Sequence, residues 1–173
     1  MLYHQLRLAL IILFIILGII LHIQIGLTPA WYLYATAFVL LLTHIFFGTV
    51  WGAFGQLKRG NILKAEKLLA QIWSPNLLAK RPRAYYHFTK GLIALQRKQL
   101  PVGNKHFKAA IGLGLRNDTD RALAHLNLAH IAFLTKQIET SKEYLAKAKT
   151  FETNDLMIKE NLNQLEVALA KVN

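Results

Sequence analysis

The sequence has no cysteine, so disulfide scaffolds, thiol catalysis and cysteine-ligated zinc or iron–sulfur centres are excluded. Four prolines and ten glycines are too few for collagen-like or low-complexity chains. Acidic residues are the next shortage. Nine Asp and Glu face 21 Lys and Arg among 173 residues, giving a formal net charge of +12 and a pI near 10.1. Charged residues make up only 17% and hydrophobic ones 54%, where soluble domains have about 25% and about 45–50%. A chain both apolar and basic is not an ordinary soluble enzyme. Nor is it a disordered tail, which would be poor in apolar residues.

The longest absence is local. No charged side chain occurs between Arg7 and Lys58, a run of 50 residues. As one helix that run would be about 75 Å long, against a hydrocarbon core of about 30 Å. Two spans, 8–25 and 31–50, fit instead, joined by the turn Gly26-Leu27-Thr28-Pro29-Ala30. Residues 1–57 are therefore expected to form a transmembrane hairpin. Trp31, Tyr32 and Tyr34 fall at one interface, and Phe46, Phe47, Trp51 and Phe54 approach the other. Arg7 precedes the first span, the turn is uncharged, and Lys58, Arg59, Lys64 and Lys67 follow the second. The positive-inside rule then places both termini in the cytoplasm.

A secretory signal is the alternative for the first segment. Its apolar stretch is longer than a typical signal core, and Thr28-Pro29-Ala30 makes a poor cleavage site. Retained or cleaved, it leaves the second span delivering the remainder to the cytoplasm. His22 and His44 lie about 6 Å and about 20 Å from the turn end of their spans. At such different depths they do not jointly ligate a haem or metal. Gly48 and Gly52 form a GxxxG match, a candidate helix-packing face in the membrane.

Residues 58–173 show no strand-like alternation, and apolar residues recur at helical spacing. Helices are expected over 62–73, 84–97, 101–113, 119–135, 139–150 and 155–171, with Asp118 or Asp120 capping the fourth. Shifted by 38 residues, the helix pairs align without gaps. Ala65, Gly103 and Ser141 coincide, as do Leu69, Phe107 and Leu145. Gly91 matches Ala129, Ala94 matches Ala132, and Ala110 matches Ala148. The intervening turns read Arg59-Gly60-Asn61, Arg97-Lys98-Gln99 and Thr135-Lys136-Gln137. A small residue where two helices cross, followed by a large one a turn later, suits a stacked helical hairpin.

This pattern resembles the tetratricopeptide repeat (TPR) family over about residues 50–150. It departs from that family in lacking an opening Trp and a closing Pro, and in a period of 38 rather than 34. A longer inter-repeat loop such as 115–120 absorbs the difference. In register, the first repeat helix occupies 46–59, so the second span is expected to continue out of the membrane as that helix. The last helix, 155–171, offers Leu156, Leu162, Leu165 and Leu169 as a terminal cap. The expected fold class is thus all-α: two transmembrane helices, then a cytoplasmic TPR-like array over 58–173.

Charge is concentrated next to the membrane. Residues 58–108 carry twelve Lys and Arg against Glu66 alone, whereas 109–173 carry eight of each sign. Lys58, Arg59, Lys64, Lys67, Lys80, Arg81 and Arg83, the last three in a Lys-Arg-Pro-Arg loop, are candidates for seating on anionic lipid headgroups. An acidic protein partner is the second reading. Nucleic acid is not expected, since no motif for it is present.

The resemblance implies a concave groove lined by Tyr85, Phe88, Thr89, Leu92 and Leu95 of the second repeat and Leu126, Asn127, His130 and Phe133 of the third. Carboxylate clamping would need more than Asn127, so an apolar or amphipathic partner helix suits this groove better. Catalysis finds no constellation. His87 and His125 are repeat-equivalent, and His106, His125 and His130 lack carboxylates at ligand spacing. Gly112-Leu113-Gly114 ends a helix without continuing into GxGxxG. The expectation is a protein that is not an enzyme and holds no metal or cofactor. By the resemblance it is an adaptor or assembly factor of a bacterial inner membrane; the alternative is a structural subunit assembled through its spans.

Overall fold

The computed structural model describes residues 2–47 and 49–171. Among them are nine α-helices and no strand. α1 (Leu2–Ile25) and α2 (Leu27–Phe47) form an antiparallel hairpin. There follow α3 (Val50–Lys58), α4 (Ile62–Ala70), α5 (Lys80–Gln96), α6 (Leu100–Leu113), α7 (Asp118–Leu134), α8 (Ile138–Lys149) and α9 (Leu156–Ala170). A single 3-10 turn, Pro75–Leu77, lies between α4 and α5.

The first hairpin reverses at Gly26, whose φ of +102° a side chain would resist. Its helices approach closely at Gly18, where a Cβ would lie 2.8 Å from the Tyr34 ring. Ala30 and Ala37 are buried in the same seam, consistent with small residues letting apolar helices meet. The outer faces remain uncovered, with Ile12, Ile16 and Ile23 exposed. Thr36 and Thr43 donate their hydroxyls to the carbonyls of Tyr32 and Leu40 on their own helix. Leu8–Ile25 has a mean hydropathy of 2.9 and is the one stretch among the described residues long and apolar enough to cross a membrane.

The expected continuous helix over 46–59 is instead two helices, since α2 ends at Phe47 and α3 begins at Val50. Thr49, between them, donates its hydroxyl to the Leu68 carbonyl at the end of α4. That bond fastens the junction to the array without helical continuity. By packing, α3 belongs to the array. Val50 and Phe54 share a core with Leu78, Tyr85 and Phe88, and Ala53 and Leu57 pack with Ala65 and Leu69.

The array consists of three helical hairpins, α3/α4, α5/α6 and α7/α8, with α9 closing the last. Their second helices begin at residues 62, 100 and 138, a constant step of 38. The turns repeat in backbone detail. Gly60, Lys98 and Lys136 adopt φ of +77°, +58° and +61°. The following residue, Asn61, Gln99 or Gln137, donates its N–H to Gln56, Ala94 or Ala132 at 2.8–2.9 Å. This is the Schellman arrangement that satisfies the last carbonyls of a helix.

At each crossing the small residues meet. Ser141 donates to the Ala129 carbonyl at 2.8 Å, and a Cβ on Gly103 would touch the Gly91 carbonyl at 3.6 Å. The large residue a turn later is buried in every repeat: Leu69, Phe107 and Leu145.

Several boundaries differ from expectation. α4 stops at Ala70, so Trp73 leaves the helix. α5 starts at Lys80, making Lys80-Arg81-Pro82-Arg83 a first helical turn, where proline is tolerated, and not a loop. Asn117, not either aspartate, caps α7 by accepting the Asp120 N–H at 3.0 Å. Asp155 caps α9 through Met157 and Ile158, which turns Leu156 outward and Ile158 into the core.

Candidate functional site

A cavity of about 370 Å³ opens between α5, α7 and α9. α7 supplies Leu123, Leu126, Asn127, His130 and Phe133, which fall on one helical face by their spacing. Leu95 enters from the end of α5, and Asn161, Gln164, Leu165 and Ala168 form the α9 wall. The lining has an apolar floor, three amides and an imidazole, and no charged side chain. Asn127 donates its amide N–H to the Leu123 carbonyl at 2.8 Å, which leaves its amide oxygen available as an acceptor. Such a surface takes apolar side chains on its floor and peptide amides at its rim.

α9 is held in place well enough to be a wall. Ile158, Leu162, Leu165 and Leu169 bury against Leu126, Leu145 and Ala148. Lys149 pairs with Glu166 across the α8–α9 contact.

Leu95, Leu126, Asn127, His130 and Phe133 of the expected groove therefore come together. Tyr85, Phe88 and Thr89 do not join them, because all three are core residues. The Tyr85 hydroxyl donates to Asp120 at 2.6 Å, and its ring stacks on Trp51 at 4.6 Å. Phe88 packs between Phe54 and Phe107, and Thr89 donates to the Tyr85 carbonyl. Leu92 is half-buried against the same core. The physical reason lies in the neighbours: the aromatic face of α3 covers this part of the second repeat, while α9 packs on the third and leaves a cavity open beside α7. Sequence reasoning missed Leu123 and the α9 wall. Leu123 occupies the repeat position of Tyr85, and that equivalence was the available signal.

Lys58, Arg59, Lys64, Lys67, Lys80 and Arg81 are exposed, and Arg83 is half-buried with its Nε unpartnered. Lys58 lies over the Phe54 ring at 4.6 Å. Glu66 is engaged by Arg97 at 2.6 Å. Gly52 lies in α3, where a Cβ would meet Leu68 at 3.6 Å, so it does not face a partner from within the apolar hairpin. Gly48, its expected companion, lies outside the described residues.

The histidines separate by role. His125 is buried, with Nδ1 at 2.9 Å from the Arg121 carbonyl. His87 and His106 meet between α5 and α6, their Nδ1 atoms 2.9 Å apart. Burial holds the His106 imidazole down to about 4, helped by His87, Lys90 and Lys105. His87 is lowered for the same first reason and by Arg83 and Lys105. Among the described residues no three His, Asp or Glu side chains cluster as metal ligands. Comparison with family models, with curated proteins and with solved structures gives no match for this chain.

Proposed function

We propose that the chain is a membrane-anchored, TPR-like adaptor or assembly factor. In this reading both helices of the first hairpin span a membrane, both termini are cytoplasmic, and the groove of α5, α7 and α9 holds a segment of another protein. The supporting observation is the groove itself. It is an uncharged, amide-rimmed apolar channel in a protein whose net charge is +12. An amphipathic peptide suits it, with apolar side chains on the floor and polar groups beside the amide rim.

Anchoring is supported by the uncharged stretch before Lys58, the uncovered apolar outer face of α1 and the exposed cations that follow. The setting we propose is a bacterial inner membrane, with the array on the cytoplasmic side by the positive-inside rule. The structural-subunit alternative draws on Gly48 and Gly52; Gly52 stands on α3, beyond the apolar hairpin.

The test is co-purification of the full chain from mild detergent. Gln164→Lys places a charge in the groove at an exposed position, and Phe133→Ala removes its largest floor residue. Each is expected to weaken partner retention about tenfold, equivalent to about 1.4 kcal/mol. Unchanged partners with both variants would remove the groove from the function.

A further inference from the structure

Twelve consecutive residues between Lys67 and Lys80 carry no charge, although they lie inside the most basic part of the chain. They comprise the end of α4, an irregular stretch and the 3-10 turn Pro75–Leu77. Their apolar side chains divide by direction. Leu68, Leu69 and Leu78 turn into the core, whereas Leu77 is exposed and Trp73 is 94% exposed. No other large hydrophobic side chain among the described residues is so exposed.

The position of this loop is specific. Ile72, Trp73, Ser74 and Leu77 share a cavity of about 270 Å³ with His44, in the last turn of α2, and with Thr49. The Thr49 hydroxyl, bonded to the Leu68 carbonyl, ties the start of the segment to the same junction. The bare indole thus sits level with the end of an apolar helix. Exposed cations bracket it in sequence: Lys64 and Lys67 on α4, Lys80 and Arg81 in the first turn of α5. The latter pair stands at the positive end of the α5 dipole, where a cation is locally disfavoured unless an anion is nearby.

We propose that the loop 71–79 is a membrane-interface wedge. Trp73 and Leu77 seat in the boundary between headgroups and acyl chains of the leaflet from which α2 emerges, and the four cations contact anionic headgroups. The proposal rests on reading α1 and α2 as a membrane hairpin. It adds a second attachment to the Thr49 clamp, so that the array is fixed in orientation as well as in position.

Three tryptophans make the test direct: Trp31, Trp51 and Trp73. The full chain is reconstituted in phosphatidylcholine–phosphatidylglycerol vesicles containing lipid brominated near the headgroup. One variant, Trp31→Phe with Trp51→Phe, reports Trp73; another, Trp51→Phe with Trp73→Phe, reports Trp31 in the hairpin. Emission from Trp73 is expected to shift to the blue and to be quenched, alongside quenching of Trp31. Quenched Trp31 with a water-like, unquenched Trp73 would overturn the wedge and leave the hairpin standing. A Trp73 shifted to the blue but unquenched would also overturn it, pointing to cover by protein.

If Trp31 itself is unquenched, the hairpin reading fails and the wedge with it. Because the chain has no cysteine, Asn76→Cys carrying a nitroxide gives a second measurement that spares every tryptophan. Its spin label is expected to collide with dissolved oxygen more than with a water-soluble nickel chelate. The reverse preference would overturn the proposal.

Discussion

Tyr85 and Asp120 meet in the interior between α5 and α7, joining the second hairpin to the third through one 2.6 Å bond. Asp120 is 4% exposed, so removing its donor leaves a carboxylate oxygen stranded. Tyr85→Phe is expected to destabilise the array by about 1–3 kcal/mol in chemical denaturation. The same pair sets an alkaline limit. Burial first, and then Asp120, pushes the Tyr85 phenol up to about 12, against 10.0 when free. The unfolded chain loses that proton first, so this contribution to stability is complete below about pH 10 and falls as pH rises toward about 12. Tyr85→Phe should abolish that part of the slope.

His87 and His106 act at the acid end. Both are lowered, His106 to about 4, so the unfolded chain binds protons first as pH falls below about 6.5. Stability should decline between about pH 6.5 and about pH 4, with Arg83, Lys90 and Lys105 adding repulsion. His106→Gln should flatten that decline in thermal melts at a series of pH values.

At the scale of elements, the 38-residue step was legible because crossing helices demand small residues at fixed places. Ala53, Gly91 and Ala129 face Ala65, Gly103 and Ser141, where larger side chains would force the helices apart. The turns were legible as polar triplets, yet their left-handed residue was not. Gly60 takes that conformation freely, while Lys98 and Lys136 hold it against their own Cβ. Lys98→Gly and Lys136→Gly should each stabilise the fold by about 1 kcal/mol, read as a higher melting temperature. Gly91→Ala should do the opposite, because its Cβ would lie 2.9 Å from the Phe107 ring.

Other features depended on partners that a single repeat does not reveal. Tyr85, Phe88 and Thr89 read as groove residues through the TPR resemblance, Phe88 and Thr89 at the repeat positions of Leu126 and Asn127. Only the packing of Trp51 and Phe54 on α5 shows that their side of the array is closed. Likewise the helix break at Thr49 hinges on a hydroxyl that reaches Leu68, nineteen positions away. Periodicity within a window carries no record of such a bond.

For the whole molecule, composition resolves into layers. The uncharged residues before Lys58 form the hairpin and α3, the cations of 58–108 follow, and the outer array is balanced in charge. The proposed topology predicts that Thr28→Cys, in the hairpin turn, reacts with an impermeant thiol reagent added outside intact cells. Asn154→Cys, in the α8–α9 loop, should react only after permeabilisation.

In the proposed function, the groove between α7 and α9 receives a partner while the chain sits in its membrane. A photo-crosslinking residue at His130 in the full chain, irradiated in native membranes, reads this occupancy, with the same residue at exposed Glu143 on α8 as reference. A discrete adduct is expected from position 130, lost with Phe133→Ala, and none from position 143. Identical adducts from both positions, or an adduct from 130 that survives Phe133→Ala and Gln164→Lys, would rule out a partner seated in the groove.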